Sequence, residues 1–428
     1  MTTVSKVTPW LLALGAGLML AHFYLLSSIT GNAGARADTL ASGAEQFPQA
    51  KANFNHYINN MRSYLQPRSL PGRTDTDLEL NLPFQIKANP TVTYRGRFLL
   101  FHGLNDSAYV WRDMARAIAK RGFDTRAILF EGHGSTPKDM LDVKYQSWLS
   151  TARQHLAIWN DNKVPMYLGG FSMGATIATL LALDNPEVDG LFLISPAYHS
   201  KLNNYLRWSG IYAKFRPWVF GGMILEDNPM KYNSIPVNSG WQFYCLTEKL
   251  KSRWQSHRLD MPVLMVATEE DSVIDIDYTR HVFDSRFTHE KRHILIYSGT
   301  QTPVVADRHA GHQANRWAEY QERRASRFPS KRILNQSHLS LMNSPDNPLF
   351  GESAAVLVCN GNEYPIFMAC MRSSQHWYGA QHTASPDGVA VARTTYNPDF
   401  DSVMQRFDEV LVNPVTELNA ADNPSTPR

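Results

Sequence analysis

The chain has 428 residues, 43% of them apolar, enough for one large domain with insertions or two smaller ones around a sizeable core. The formal net charge is +3, both signs are mixed along the chain, and no basic run or arginine-rich patch occurs, which argues against nucleic acid as a partner. The three cysteines (Cys245, Cys359, Cys370) show neither a C-x-x-C pair nor a Cys/His metal spacing, so no zinc site is expected.

From Val7 to Ala35 there is no Asp, Glu, Lys or Arg, and the apolar run from Trp10 to about Ile29 is close to the length that spans a bilayer. Residues 1–30 are expected to be an uncleaved signal anchor, with Lys6 on the inner side. The small-residue stretch Ala33-Gly34-Ala35 makes a cleaved secretory signal the alternative. In either case the remainder is expected to be exported, and the membrane is a partner through this segment. Residues 31–90 read as a polar linker and an N-terminal extension. Within them the spacing of Phe54, Tyr57, Ile58, Met61 and Leu65 predicts a helix, and the alternation from Leu78 to Ile86 predicts a half-exposed strand.

The core is expected over 91–198 and 259–412. Arg97 to Phe101 is a continuous apolar strand of the buried parallel kind and runs into His102-Gly103-Leu104. A helix over Trp111 to Arg121 and a strand over Thr125 to Phe130 follow, then Glu131-Gly132-His133-Gly134-Ser135 and a helix over Ser147 to Asn160. Val164 to Gly169 is a strand, and Ala175 to Leu183 a buried helix. Between them stands Gly170-Phe171-Ser172-Met173-Gly174, a G-x-S-x-G pattern in the strand–turn–helix context that a nucleophile elbow needs. Ser172 is the candidate nucleophile. The backbone N–H groups of Met173, at the helix start, and of Leu104, after the H-G pair, are the candidate oxyanion donors. His102 is expected to fix its loop by hydrogen bonds rather than to titrate. Strands alternating with helices predict an α/β fold with a mostly parallel, doubly wound sheet.

The rhythm breaks over 199–258, which carries Tyr205, Trp208, Tyr212, Phe215, Trp218, Phe220, Trp241, Phe243 and Trp254. This stretch is expected to be a helical cap over the serine, with aromatic residues lining an acyl pocket; the alternative is that they only pack the cap onto the core. The sheet resumes at Met261 to Ala267, and Asp271 is the candidate acid, with Glu269, Glu270 and Asp275 as rivals. His293 to Tyr297 is a strand, and 298–330 reads as a polar, Arg-rich insertion. His338 follows the apolar run Lys331 to Gln336 and completes the chain order Ser…Asp…His, with His309 and His312 as alternatives. Cys359 and Cys370 flank the polar turn 360–363; a disulfide across a hairpin and two buried thiols are both open. Asp399 to Val412 predicts a terminal helix, and 413–428 a disordered tail.

These landmarks, His102-Gly103, Gly132-His133-Gly134, Gly170 to Gly174, Asp271 and Ser337-His338, resemble in order those of α/β-hydrolase fold enzymes. The G-H-G-x-S loop and the F-S-M-G elbow are most similar to the monoacylglycerol lipase, lysophospholipase and serine aminopeptidase-like branch, over about 94–412. The resemblance implies a Ser172–His338–Asp271 triad, a Leu104/Met173 oxyanion hole and a cap over an acyl pocket. It further implies cleavage of lipid-derived or other acyl esters through an acyl-enzyme, without metal or organic cofactor. An aminopeptidase, and a catalytically silent membrane-tethered binding protein on the same fold, are the competing readings.

Overall fold

A computed structural model describes residues 46–69, 72–219, 228, 230–231, 234–299, 320–354, 356–359 and 364–412. The N-terminal apolar run, the linker up to residue 45, His309, His312, the turn 360–363 and the tail from Asn413 lie outside the described residues. Among those described, no helix is long and apolar enough to cross a membrane.

The extension begins with α1 (Phe54–Leu65), capped by the Asn53 side chain, which accepts from the Asn55 and His56 N–H groups. Its inward residues Phe54, Tyr57, Met61 and Leu65 are those that the helical spacing selects. The strand expected over 78–86 is present only at its end: α2 (Asp75–Asn81) occupies its first part and precedes a short strand β1 (Phe84–Ile86). A reciprocal cap decides the difference. The Thr74 hydroxyl accepts from the Asp77 N–H while the Asp77 carboxylate accepts from the Thr74 N–H, satisfying two end donors that an extended chain would leave to water.

The sheet comprises β1, β2 (Gly96–Phe101), β3 (Phe123–Ala127), β4 (Met166–Phe171), β5 (Gly190–Ile194), β6 (Val263–Thr268), β7 (Arg292–Ser298) and β8 (Gln321–Ala325). Its order is β1-β3-β2-β4-β5-β6-β7-β8, antiparallel only at β1. The central strands β4, β5 and β6 read as apolar runs because both faces of the sheet are covered there. Leu99, Leu168, Leu193, Met265 and Ile296 point into one core with α1, α4 (Tyr145–Trp159), α5 (Met173–Asp184) and α7 (Val237–Trp254). Their alternating neighbours Phe98, Leu100, Phe192, Val266 and Leu295 point into the other, with α3 (Arg112–Ala119) and α10 (Phe400–Leu411). Between β5 and β6 the chain leaves the sheet for α6 (Asn203–Tyr212) and α7, and α8 (Ile276–Arg286) follows β6.

The final strand was hidden in the polar insertion expected over 298–330. The strand β8 is Gln-Glu-Arg-Arg-Ala, and ion pairs rather than apolar contacts hold this edge. Arg323 pairs with Glu269 at 2.8 Å, Arg324 with Asp399 at 2.5 Å and Glu322 with Arg406 at 2.6 Å. Charged edges of this kind discourage pairing with another sheet. Lys331 to Gln336, expected as a strand-like run, is a turn and loop in which Ile333 bridges to Phe328 and Tyr378.

Cys359 and Cys370 form a disulfide with their Cα atoms 5.8 Å apart. Cys370 lies on α9 (Tyr364–Arg372), so the bridge ties a loop to a helix instead of spanning a hairpin. The parallel pair β9 (Trp377–Gly379) and β10 (Val391–Arg393) completes this C-terminal insertion.

Candidate active site

The β4–α5 turn is strained as an elbow requires. Ser172 has φ 55° and ψ −118°, a conformation that L-residues avoid. A Cβ on Gly170 would stand 2.3 Å from the Ala175 Cα, and one on Gly174 would stand 2.1 Å from the Phe101 carbonyl oxygen. Both glycines are therefore demanded by close backbone approach. The turn is held by the Ser172 N–H donating to Ile194 O at 2.9 Å and the Ala197 N–H donating to Ser172 O at 3.2 Å. A serine at a helix start ordinarily caps it. Here the side chain makes no cap hydrogen bond, because positive φ turns it away from the helix.

At the end of β6 lies Asp271, fully buried, and its Oδ2 is 2.6 Å from His338 Nδ1. The other oxygen, Oδ1, accepts from the Val273 and Ile274 N–H groups at 2.8 and 3.1 Å. The carboxylate is thus saturated and immobile, and it fixes the imidazole with Nδ1 as its donor. The three rival acids are engaged elsewhere: Glu269 with Arg323, Glu270 with the Thr268 hydroxyl, and Asp275 as the cap of α8 and partner of His199. The His338 ring packs on Phe171, the residue before Ser172, at 5.2 Å between centroids. This packing places His338 beside the elbow at the carboxyl edge of the sheet, far from it in sequence.

The H-G loop closes on the same point. A Cβ on Gly103 would stand 3.2 Å from the Ser172 Cβ and 3.1 Å from the Phe171 ring. The sheet order, the elbow and this loop form one framework. Residues 93–233 match the family model described as Hydrolase_4, Serine aminopeptidase, S33. A thermostable monoacylglycerol lipase from Bacillus sp. (strain H-257) is 23% identical over 178 residues, covering 41% of this chain and 70% of the relative. The sheet has the α/β-hydrolase fold, and over the matched stretch the chain is similar to members of that superfamily. Within the superfamily it resembles the monoacylglycerol lipase-like branch. Among solved structures, a soluble variant of monoglyceride lipase from Saccharomyces cerevisiae has a TM-score of 0.43 at 16% identity, covering 51% of this chain and 82% of that one. The monoacylglycerol lipase of Paleococcus ferrophilus has a TM-score of 0.42 at 17% identity, covering 51% and 88%.

In this α/β-hydrolase fold His102 is a structural fixture, as its sequence setting suggested. It is fully buried, its Nε2 accepts from the Phe130 N–H at 3.1 Å, and its Nδ1–H therefore donates to Gly103 O at 2.8 Å. Holding the Gly103 carbonyl in a trans peptide aims the Leu104 N–H the opposite way. The Met173 N–H is among the donors that the first turn of α5 leaves without an intrahelical partner. Burial lowers the His102 pKa from 6.5 to about 4 and that of His155 to about 3, and it pushes His133 well down. These rings bind protons more readily in the unfolded chain, so the stability they contribute is complete above about pH 6.5 and is lost progressively as pH falls below it, for His102 toward about 4. Urea denaturation is expected to show His102 alone removing about 3 kcal/mol between about pH 7 and pH 4. The pH slope should flatten by that amount in His102→Gln; an unchanged slope contradicts a buried neutral ring.

Several supporting groups had no signal in the sequence. The Ser195 hydroxyl, at the end of β5, donates to His338 O at 3.1 Å, and Ser195 itself has φ 45°. The Lys201 ammonium donates to Asp271 O. The Ser337 hydroxyl donates to Thr394 O at 2.6 Å and the Thr394 hydroxyl to Asn335 O at 2.7 Å, so the C-terminal insertion clasps the His338 loop. A polar cleft begins at Asn105, directly after Leu104, and is lined by Arg73, Asp77, Asn81, Asp106 and Lys231 among others. In it the buried Asp106 carboxylate pairs with Lys231 at 2.9 Å.

The expected aromatic lining of the cap needs correction. Phe243 and Trp254 are buried, and Trp254 packs against Tyr198 and Phe287 at 6.5 and 5.6 Å, joining the cap to the core. Tyr205, Trp208, Tyr212 and Phe215 face solvent instead of a pocket. Helix α6 meets α7 through its small and aliphatic face, which leaves its aromatic face outward. Phe220 lies outside the described residues.

Proposed function

We propose that the chain is a serine hydrolase of carboxylic esters that works through an acyl-enzyme on Ser172. The observation that carries this reading is the strained, uncapped Ser172 at the sheet edge where the His338–Asp271 pair also ends. His338 Nε2 takes the hydroxyl proton as Ser172 Oγ attacks the ester carbonyl, and Asp271 stabilises the imidazolium. The Leu104 and Met173 N–H groups receive the negative charge that develops on the carbonyl oxygen, each worth on the order of 3 kcal/mol of barrier. Collapse of the tetrahedral intermediate expels the alcohol with the proton from His338. Water then adds to the acyl-enzyme, with His338 as base, and releases the acid and free Ser172.

The relative and the matched model favour acyl transfer to water, and the printed activity of the relative favours a lipid-derived ester. The family model bears an aminopeptidase description, and such an enzyme needs a carboxylate for a free α-amine. Asp106 is the acid nearest in sequence to the candidate oxyanion loop, and Lys231 already neutralises it, so the esterase reading stands first. The Cys359–Cys370 disulfide supports an oxidising, extracytoplasmic setting. That setting agrees with the proposal that residues 1–30 act as an anchor or signal.

A fluorophosphonate probe tests the chemistry. Wild type is expected to label and turn over p-nitrophenyl esters in preference to aminoacyl anilides. Labelling should vanish in Ser172→Ala and His338→Ala and persist in His312→Ala. Labelling independent of Ser172 contradicts the proposal, and loss in His312→Ala alone moves the base.

A further inference from the structure

His338 sits in a stretch that is neither helix nor strand, between the edge strand β8 and the insertion that carries the disulfide. No helix turn or sheet ladder sets the height of its ring, so the bonds around the loop must do so. The core side supplies one, from the Ser195 hydroxyl to His338 O at 3.1 Å. The opposing bonds come from the far end of the insertion.

Thr394 directly follows β10 and is fully buried. All three of its polar groups are engaged. Its N–H donates to Gly379 O at 3.0 Å, its hydroxyl donates to Asn335 O at 2.7 Å, and its carbonyl accepts from the Ser337 hydroxyl at 2.6 Å. Two of these bonds hold the chain just before His338. Beyond the histidine, the Asn343 side chain donates to Thr395 O at 2.7 Å, and the Asn397 N–H donates to Asn343 O at 2.9 Å. The residue before Thr394 reaches the acid loop. The Arg393 guanidinium donates to the hydroxyl of Ser272, the neighbour of Asp271, at 3.3 Å. The short segment 393–397 thus touches the chain on both sides of the histidine and beside the carboxylate.

That segment is tied down from behind. The Arg393 N–H donates to Val358 O at 2.7 Å, and Val358 precedes Cys359. Cys359 and Cys370 are fully buried and form a small core with Phe367 and Ala392, apart from the two cores that flank the sheet. So small an apolar cluster holds its segment weakly, and a covalent bridge removes the open conformations that compete with it. Rigidity matters here because proton transfer tolerates little error. A displacement of about 1 Å at a reacting group costs about 100-fold in rate.

We propose that Thr394 is a positioning residue for His338, and that the Cys359–Cys370 bridge fixes Thr394 in place. Assembly of the acid–base pair is thereby coupled to disulfide formation. The inference rests on the acyl-enzyme reading of Ser172 and adds to it what holds the base.

The test is steady-state turnover of a soluble p-nitrophenyl ester by the full chain. Thr394→Val removes the hydroxyl bond to Asn335 O and little else, and Thr394→Ser keeps it. Thr394→Val is expected to lower kcat by about 10- to 100-fold with KM within about threefold of wild type. Thr394→Ser should bring kcat back to within about threefold of wild type. Trp377→Phe, which removes indole bonds to Asp387 in the same insertion, should leave kcat unchanged. Cys359→Ser/Cys370→Ser is expected to show the same kcat loss as Thr394→Val. Reduction of the folded wild type tests the bridge without relying on that variant to fold. Dithiothreitol gives two electrons and two protons to the bridge and closes to its own cyclic disulfide. Alkylation then counts three thiols in place of one, and kcat should fall and return on reoxidation. Wild-type kcat in Thr394→Val, an effect on KM alone, or a Thr394→Ser variant as slow as Thr394→Val overturns the positioning role. Full kcat with three thiols overturns the role of the bridge. A wild type without Ser172-dependent turnover overturns the ester reading itself, and the inference with it.

Discussion

Ser172→Ala is expected to lower kcat for a p-nitrophenyl ester by about 10,000-fold or more while leaving thermal unfolding nearly unchanged. The size of the loss follows from what the hydroxyl does in the proposed reaction. Without it no acyl-enzyme forms, and only binding and oxyanion stabilisation remain to assist water. The fold should survive because the elbow is held by backbone bonds from Ser172 N–H to Ile194 O and from Ala197 N–H to Ser172 O, neither of which uses the side chain. Alanine at φ 55° retains the strain already present, since both residues carry a Cβ. Steady-state kinetics with the p-nitrophenyl ester, alongside calorimetry, decides it. A variant that keeps more than about a tenth of wild-type kcat sinks the nucleophile assignment.

Asp271→Asn is expected to cost about 10,000-fold in kcat with a smaller change in KM. Asparagine keeps an oxygen for the Val273 and Ile274 N–H groups, so the β6–α8 loop should hold. Its amide nitrogen, however, faces His338 Nδ1 across 2.6 Å in place of a carboxylate oxygen. That contact favours the tautomer with the proton on Nε2, which cannot accept the Ser172 proton. Asp275→Asn is the matched control. Asp275 caps α8 and pairs with His199, so its loss is expected to cost about 1 kcal/mol of stability or less and leave kcat within a few-fold. Equal kinetic losses in the two variants would mean that the loop, rather than the Asp271 carboxylate, sets the activity.

Local chemistry explains which parts of the chain were legible. The strands β4, β5 and β6 announce themselves because each is buried at every residue and correspondingly apolar. The strand β8 does not, because an edge strand held by Arg323–Glu269 and Arg324–Asp399 pairs has the composition of a polar loop. The Leu78 to Ile86 alternation misled because the buried residues there are Leu78, Asn81, Leu82 and Pro83, a helix-and-turn spacing that the period of two does not record. The Thr74–Asp77 cap was the signal that separated them. The cap aromatics misled for a related reason: an aromatic residue records affinity for an apolar surface without recording which side of its helix meets one.

The turn at Ser172 was legible in the sequence by itself, because the elbow is a local object: Gly170 and Gly174 are required by backbone atoms a few residues away or on the next strand. The sequence also determined the order in which an acid and a histidine follow, and the covering of both sheet faces. Only the tertiary structure decided which of Asp271, Glu269, Glu270 and Asp275 contacts His338, since four carboxylates within one loop differ only in where the fold points them. The His338–Asp271 contact, the Ser195 and Thr394 supports, and the direction of the α6 aromatics joined them as tertiary decisions. Each depends on chain segments brought together from far apart in sequence, and no local spacing records such a meeting.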